Sequence, residues 1–381
     1  MTDEQQMHSE SPQAEQAAPA LDFAPMTTPE SPVVVDPAAP VNMLASNTGE
    51  HGPSAVPLPG SSAELDDVTV EQGLARLDPL TVRPRISSRV LCVVFALMMA
   101  AMAAGVWWLG VCTEDGQAYD DMVWSHLVER LPDWLNPVVG VFTVSLVVQV
   151  ISAVLAVGAV IVAIVRKRWW LLGQSAVFAV LCLASSLLKE HLPRPFIIHV
   201  EAPEANSAPS GHTILAAAAG IALLCVVPRA WRALTGVIGA VFALLVGASV
   251  VVGKWHRPTD VVMALCIAGA MAMLTLAFTQ TSGMDEPGKR ASSPAVQIVG
   301  TVMITGGVLL LAYTAYVIWQ IVPGLELSAE WCIEGACVSA MTGVSGMALL
   351  VFGMTLAMRQ ITASPLTRLG LVGAPPAPPR R

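Results

Sequence analysis

Charge is scarce in this chain. Only 13% of its 381 residues are charged and 54% are apolar, whereas an ordinary soluble domain carries ~25% charged residues. That excludes a soluble globular protein and leaves a membrane protein as the natural class. Cysteine is also sparing: the seven residues form no C-x-x-C pair and no zinc-type spacing with histidine, so no metal cofactor is indicated. Cys92, Cys182, Cys225 and Cys266 lie inside apolar runs and read as small buried hydrophobes. Bases are nearly missing from the first 80 residues, where Arg76 is the only one, although about half of the acids lie there. The net charge of -8 therefore describes a tail and not a cation-seeking fold. Residues 1–84 also have almost no aromatics and no sustained period, which excludes a packed core and predicts a disordered cytoplasmic tail. The first long apolar run begins only near Val90, behind Arg83, Arg85 and Arg89, so it reads as a transmembrane helix and not as a cleavable signal.

What is present is a series of long apolar runs. A helix needs about 20 residues to cross ~30 Å of hydrocarbon. By that measure the chain offers spans at 89–111, 138–165, 169–188, 212–230, 234–253, 259–279, 296–321 and 336–357. The predicted fold is all-α, a polytopic transmembrane helical bundle. Basic residues collect on cytoplasmic flanks, and here Arg166, Lys167, Arg168, Arg229, Arg232, Lys289, Arg290, Arg359, Arg368, Arg380 and Arg381 fall on one side if the spans alternate. Both termini are then expected inside. The outer loops hold few bases, chiefly Arg130, Lys189, Arg194, Lys254 and Arg257, and these need another reason. The last outer loop carries Cys332 and Cys337, which could form a disulfide or remain two thiols.

Three outward segments hold most of the remaining polar groups: Lys189-Glu-His-Leu-Pro-Arg194-Pro195, Pro209-Ser210-Gly211-His212, and His256-Arg257-Pro258-Thr259-Asp260. Their order and content resemble the type 2 phosphatidic acid phosphatase superfamily, which is marked by a Lys and an Arg-Pro, then P-S-G-H, then a His shortly before an Asp. Two features depart from the family pattern. Only four residues separate Lys189 from Arg194, against the family's usual six. The Ser-Arg pair that usually opens the third segment is Ser249-Val250 here, and Arg257 or Lys254 is a possible replacement for the missing arginine. The resemblance covers about residues 89–280. It implies a six-span phosphatase core over 85–280, two additional spans over 281–357 and a cytoplasmic tail over 358–381.

The chemistry asks for these residue types in its own right. A phosphate ester needs fixed cationic and N–H donors, which Lys189, Arg194, Ser210 and the amides around Gly211 can supply where a helix begins. His256 is the candidate nucleophile, because Asp260 lies one helical turn on and can take its Nδ1–H. His212 is the candidate general acid for the leaving oxygen. A membrane site favours a phosphorylated lipid: phosphatidic acid, phosphatidylglycerol phosphate, or a polyprenyl phosphate or diphosphate. The resemblance implies a metal-independent hydrolase with no cofactor, working through a phosphohistidine at the outer face of a bacterial plasma membrane, with no nucleic-acid partner. A phosphotransferase with the same intermediate, or a non-catalytic lipid-binding or transport protein, are the competing readings. His126, His191 and His199 read as solvated or packing residues. Trp107, Trp108, Trp124, Trp134, Trp169, Trp170 and Trp255 read as interfacial aromatics, and Gly343, Gly346 and Gly353 as close helix contacts.

Overall fold

The computed structural model describes residues 85–195, 205–285, 294–327 and 329–364. The predictions for 1–84, for His199, for Lys289 and Arg290, and for the tail bases from Arg368 onward lie outside the described residues. Among the described residues every regular element is a helix. In chain order they are α1 (Ile86–Val111), α2 (Glu114–Arg130), α3 (Asn136–Phe142), α4 (Ser145–Val165), α5 (Trp169–Ser185), α6 (Leu188–His191), α7 (Gly211–Val226), α8 (Arg229–Val252), α9 (Pro258–Leu276), α10 (Pro294–Ile321) and α11 (Glu330–Ala363). Among the described residues seven helical stretches are long and apolar enough to cross a membrane, as an integral membrane protein requires.

Small residues decide which helices meet. In lipid there is no hydrophobic drive between helices, so association depends on close packing. α9 exposes Ala264, Ala268 and Gly269 to its neighbours, and all are buried. A Cβ at Gly269 would sit 3.0 Å from Val351 of α11. The α10–α11 contact is closer still, since a Cβ at Gly307 would lie 2.8 Å from the Gly346 carbonyl oxygen. α8, α9 and α11 consequently form the buried heart of the bundle, while α1, α4, α5 and α10 turn most of their apolar surface outward.

The predicted spans require four corrections. The run 138–165 is broken into α3 and α4, with Val144 extended between them. α7 has only 16 residues and so rises ~24 Å, short of the length a full span needs. The first outer loop is not a simple loop, because Thr113 accepts from the Gly116 amide and starts the 17-residue helix α2. The last span starts earlier than predicted: α11 begins at Glu330 and contains both Cys332 and Cys337, and all seven thiols are free. Two positions five apart on a helix cannot be bridged, as their Cα atoms stand farther apart than a disulfide allows. α11 is also no appendage, for Phe352 fills the space against Gly220 of α7 and Gly239 of α8.

Arginines tie the end of the bundle far from the three motifs. Arg232, fully buried, donates to both Asp285 oxygens at 2.7 and 3.0 Å. Arg359 donates through Nε to the Cys225 carbonyl at 2.8 Å and through Nη2 to the Gly283 carbonyl at 3.0 Å. The first of these bonds satisfies a carbonyl in the last turn of α7 that the helix leaves open.

Candidate active site

The end of α8 sets the position of His256. The amides of Trp255 and His256 both donate to the Val250 carbonyl, at 2.9 and 3.1 Å, and wrap the chain over the helix end. Lys254 takes the left-handed conformation this turn requires, with φ of 57°, and its side chain is exposed. Val250, at the family's arginine position, is wholly buried in the apolar core. Pro258 then opens α9 at a position where a missing N–H costs nothing.

Asp260 organises the start of α9. Its Oδ2 lies 3.3 Å from His256 Nδ1, accepts the Arg257 amide at 2.9 Å, and accepts the Ser207 hydroxyl. Its backbone carbonyl accepts the Ser210 amide at 3.2 Å, which joins the second motif to the third. An N–H bond to a buried carboxylate fixes the imidazole tautomer and leaves Nε2 available.

Ser210 is the N-cap of α7. Its buried hydroxyl accepts from the Thr213 amide and hydroxyl, at 3.4 and 3.0 Å, and is occupied in holding the helix start. Gly211 faces open space, so the unpaired amides of the first turn are approachable. His212 stands beside Trp255, ring centroids 5.2 Å apart. Its Nε2 is 2.8 Å from the Ser145 hydroxyl, which in turn accepts from Gln149 Nε2 at 3.0 Å. The break between α3 and α4 puts Ser145 there.

Two cations lie in different settings from each other. Lys189 is exposed on the one-turn helix α6, with its charge felt at His212. Arg194 is held by its neighbour, since Gln117 of α2 donates to the Pro195 carbonyl at 2.7 Å. Arg194 Nη2 is buried without a hydrogen-bond partner among the described residues. Burial, then the charge of Arg257, lowers the Arg194 pKa, while Asp120 and Asp260 oppose them. Arg257 itself is buried, donates to Ser207 Oγ at 2.7 Å and lies over the Trp124 ring, 5.9 Å from its centroid. Of the two candidate replacements for the absent arginine, Arg257 is the one whose charge is felt at Arg194.

Trp124 and Trp255, which the sequence reads as interfacial aromatics, also abut Arg257 and His212. Sequence reasoning also missed Gln117, Asp120, Ser145, Gln149 and Ser207. Only α2 carried a usable signal: Thr113 followed by Glu114 and Asp115 is a helix start. Among the described residues no group of three or more His, Cys, Asp or Glu side chains could hold a metal ion.

Residues 142–284 match the family model of the PAP2 superfamily, whose members are generally phosphatases. No curated protein and no solved structure matches the chain. The match spans α4 to α9 and takes in Ser145, Lys189, Arg194, His212, His256 and Asp260, so this segment is similar to the PAP2 superfamily over the stretch that holds these residues.

Proposed function

We propose that the protein is a membrane-embedded phosphatase of lipid phosphates that works through a phosphohistidine. The observation that carries this reading is the His256–Asp260 pair, with Nδ1 3.3 Å from Oδ2, at the open start of α7 and beside His212. In the first half-reaction His256 Nε2 attacks phosphorus, the phosphorus–oxygen bond to the lipid breaks, and His212 passes a proton to the departing oxygen. In the second, water attacks the phosphohistidine, its proton returns to His212, and inorganic phosphate leaves. Arg194, Lys189 and the amides of the first α7 turn, from Gly211 onward, take the phosphoryl oxygens, with Ser210 fixing that turn as its cap.

A lipid is supported by a groove of about 260 Å³ that begins at Gly211 and descends between α4, α5 and α7 to Ala222. Its walls are mainly apolar and small, with Ala153, Ala156, Ala179 and Ala218 among them, so a hydrocarbon chain entering there displaces no well-bonded polar group. Gln149 lines the groove and bonds Ser145, which places the groove mouth next to the acid. In this reading residues 85–280 form the catalytic core, the termini are cytoplasmic and the site faces outward.

Purified protein assayed for phosphate release from phosphatidic acid, phosphatidylglycerol phosphate and polyprenyl phosphates tests the reading. Release should vanish in His256→Ala and fall steeply in His212→Ala. Equal release by wild type and both variants overturns it, and an alcohol ester in place of free phosphate makes the protein a transferase.

A further inference from the structure

Helix α2 lies outside the matched segment, yet it reaches the site at three points. Gln117 holds the Pro195 carbonyl beside Arg194, Trp124 lies under Arg257, and Asp120 accepts from Thr259, from its amide at 3.4 Å and from its hydroxyl. Two glycines make this approach possible. A Cβ at Gly116 would fall 1.9 Å from the Leu109 carbonyl oxygen, and one at Gly110 would fall 2.3 Å from the Thr259 methyl. Any side chain at either position pushes α2 or the first turn of α9 away.

We infer that Asp120 is a positioning residue of the phosphotransfer site, fixing through Thr259 the turn that aligns Asp260 with His256 and supplying negative charge opposite Arg257 and Arg194. The inference rests on the phosphatase reading above. Asp120 has no exposed surface, and a carboxylate is not left in such a place unless it is paired. Thr259 directly precedes Asp260, so a shift of that turn moves the carboxylate that orients the nucleophile. The charged groups facing Asp120 are Asp260 and Arg257 at the start of α9 and Arg194 from the loop after α6. Tyr119 and Asp121 are its titratable neighbours on α2 itself. Burial first, and then Asp260, raise the Asp120 pKa to about 7, with Thr259 and Arg257 opposing. The group therefore changes charge in the neutral range, and its ionised form is the one that faces the two arginines.

The test compares Asp120→Asn, Thr259→Val and Thr259→Ser with wild type on the lipid phosphate that wild type hydrolyses best. Misplacing a reacting group by about 1 Å costs up to ~10²-fold. Asp120→Asn and Thr259→Val should accordingly lower kcat by about ten- to a hundredfold with KM nearly constant, and Thr259→Ser should restore it. The acid limb of kcat/KM should lose one proton in Asp120→Asn, while the nucleophile's own ionisation remains in both profiles. Wild-type kcat and an unchanged acid limb in Asp120→Asn overturn the inference. So does a loss of activity that only tracks the loss of folded protein. If His256→Ala abolishes release while Asp120→Asn behaves as wild type, the Asp120 inference alone falls; if His256→Ala retains release, the phosphatase reading falls and takes it along.

Discussion

His256 Nδ1 and the Arg257 amide converge on one oxygen of Asp260, at 3.3 and 2.9 Å. The carboxylate is thus both the cap of α9 and the orienting group of the imidazole. Because the cap bond is made by the residue next to His256, the helix cannot start elsewhere without moving His256, the proposed nucleophile. The Ser207 hydroxyl reaches the same oxygen, so the chain leading into α7 is tied to it as well.

Asp260→Asn removes the charge and presents an amide that can donate to Nδ1, favouring the wrong tautomer. By analogy with serine hydrolase triads, where the same change costs ~10⁴ in kcat, phosphate release should fall by about 10²- to 10⁴-fold. Steady-state kinetics on detergent-solubilised protein, beside a far-UV spectrum showing intact helix, measure it.

Ser145→Ala deletes the hydroxyl bonded to His212 Nε2 while leaving Gln149 in place. A neutral hydrogen bond is worth about 0.5–1.5 kcal/mol, so kcat should drop by roughly three- to tenfold without loss of the fold. Gln149→Leu, which also makes the groove more apolar, should lower kcat less and leave KM for long-chain substrates unchanged or smaller. A larger effect of Gln149→Leu than of Ser145→Ala would show that the hydroxyl is not the group that matters.

Among the described residues Arg194 Nη2 is buried without a hydrogen-bond partner, which suits the phosphate-binding role proposed for it. Arg194→Ala should reduce kcat/KM by about 10²-fold or more, and Arg194→Lys should recover little, because an ammonium cannot pair two oxygens in one plane. Competition by orthovanadate should weaken in parallel, which separates lost phosphate binding from lost folding.

Asp120 also makes stability depend on pH, with a definite sign. Its folded pKa of about 7 stands above the ordinary 3.8, so between those values the folded protein holds a proton that the unfolded chain has released. Stability from this group is therefore fully present below about pH 3.8 and is lost as pH rises through about 7. The melting temperature of wild type should fall across that window, and Asp120→Asn should flatten the curve while lowering activity, as a residue kept for function over stability would. An unchanged pH dependence in the variant would contradict the assignment.

The three motifs and most spans were legible because each is a local signal: twenty apolar residues, a P-S-G-H, a His and Asp one turn apart. What was not legible is long-range or masked by composition. Nothing near Ser145 says that an apolar run breaks at Val144 so that a hydroxyl can face a histidine 67 positions on. Glu114, Asp115, Asp120 and Asp121 make α2 look like solvated loop, although one face of it is buried against α1, α9 and α11. Cys332 and Cys337 looked like loop cysteines because Glu330 and Glu334 interrupt the apolar run, but those acids lie on the exposed side of a continuous helix. The missing Ser-Arg arginine was visible as an absence. That the charge of Arg257 is felt at Arg194 depended on the turn after α8.

The brevity of α7 sets the depth of the chemistry. Its 16 residues reach ~24 Å, about 6 Å less than the hydrocarbon thickness its longer neighbours are built to cross. With its last turn held by Arg359, the deficit falls at the other end, where His212 is the second residue of the helix. In the proposed arrangement, a bilayer matched to the neighbours would close above the level of the histidine. A phosphate group hanging from a chain already in the membrane arrives at that depth from the side, whereas a water-soluble ester must be drawn below the headgroups to meet it. Under the proposed function, a preference for membrane-borne substrates would follow from the length of one helix, before any contact with the substrate itself is counted.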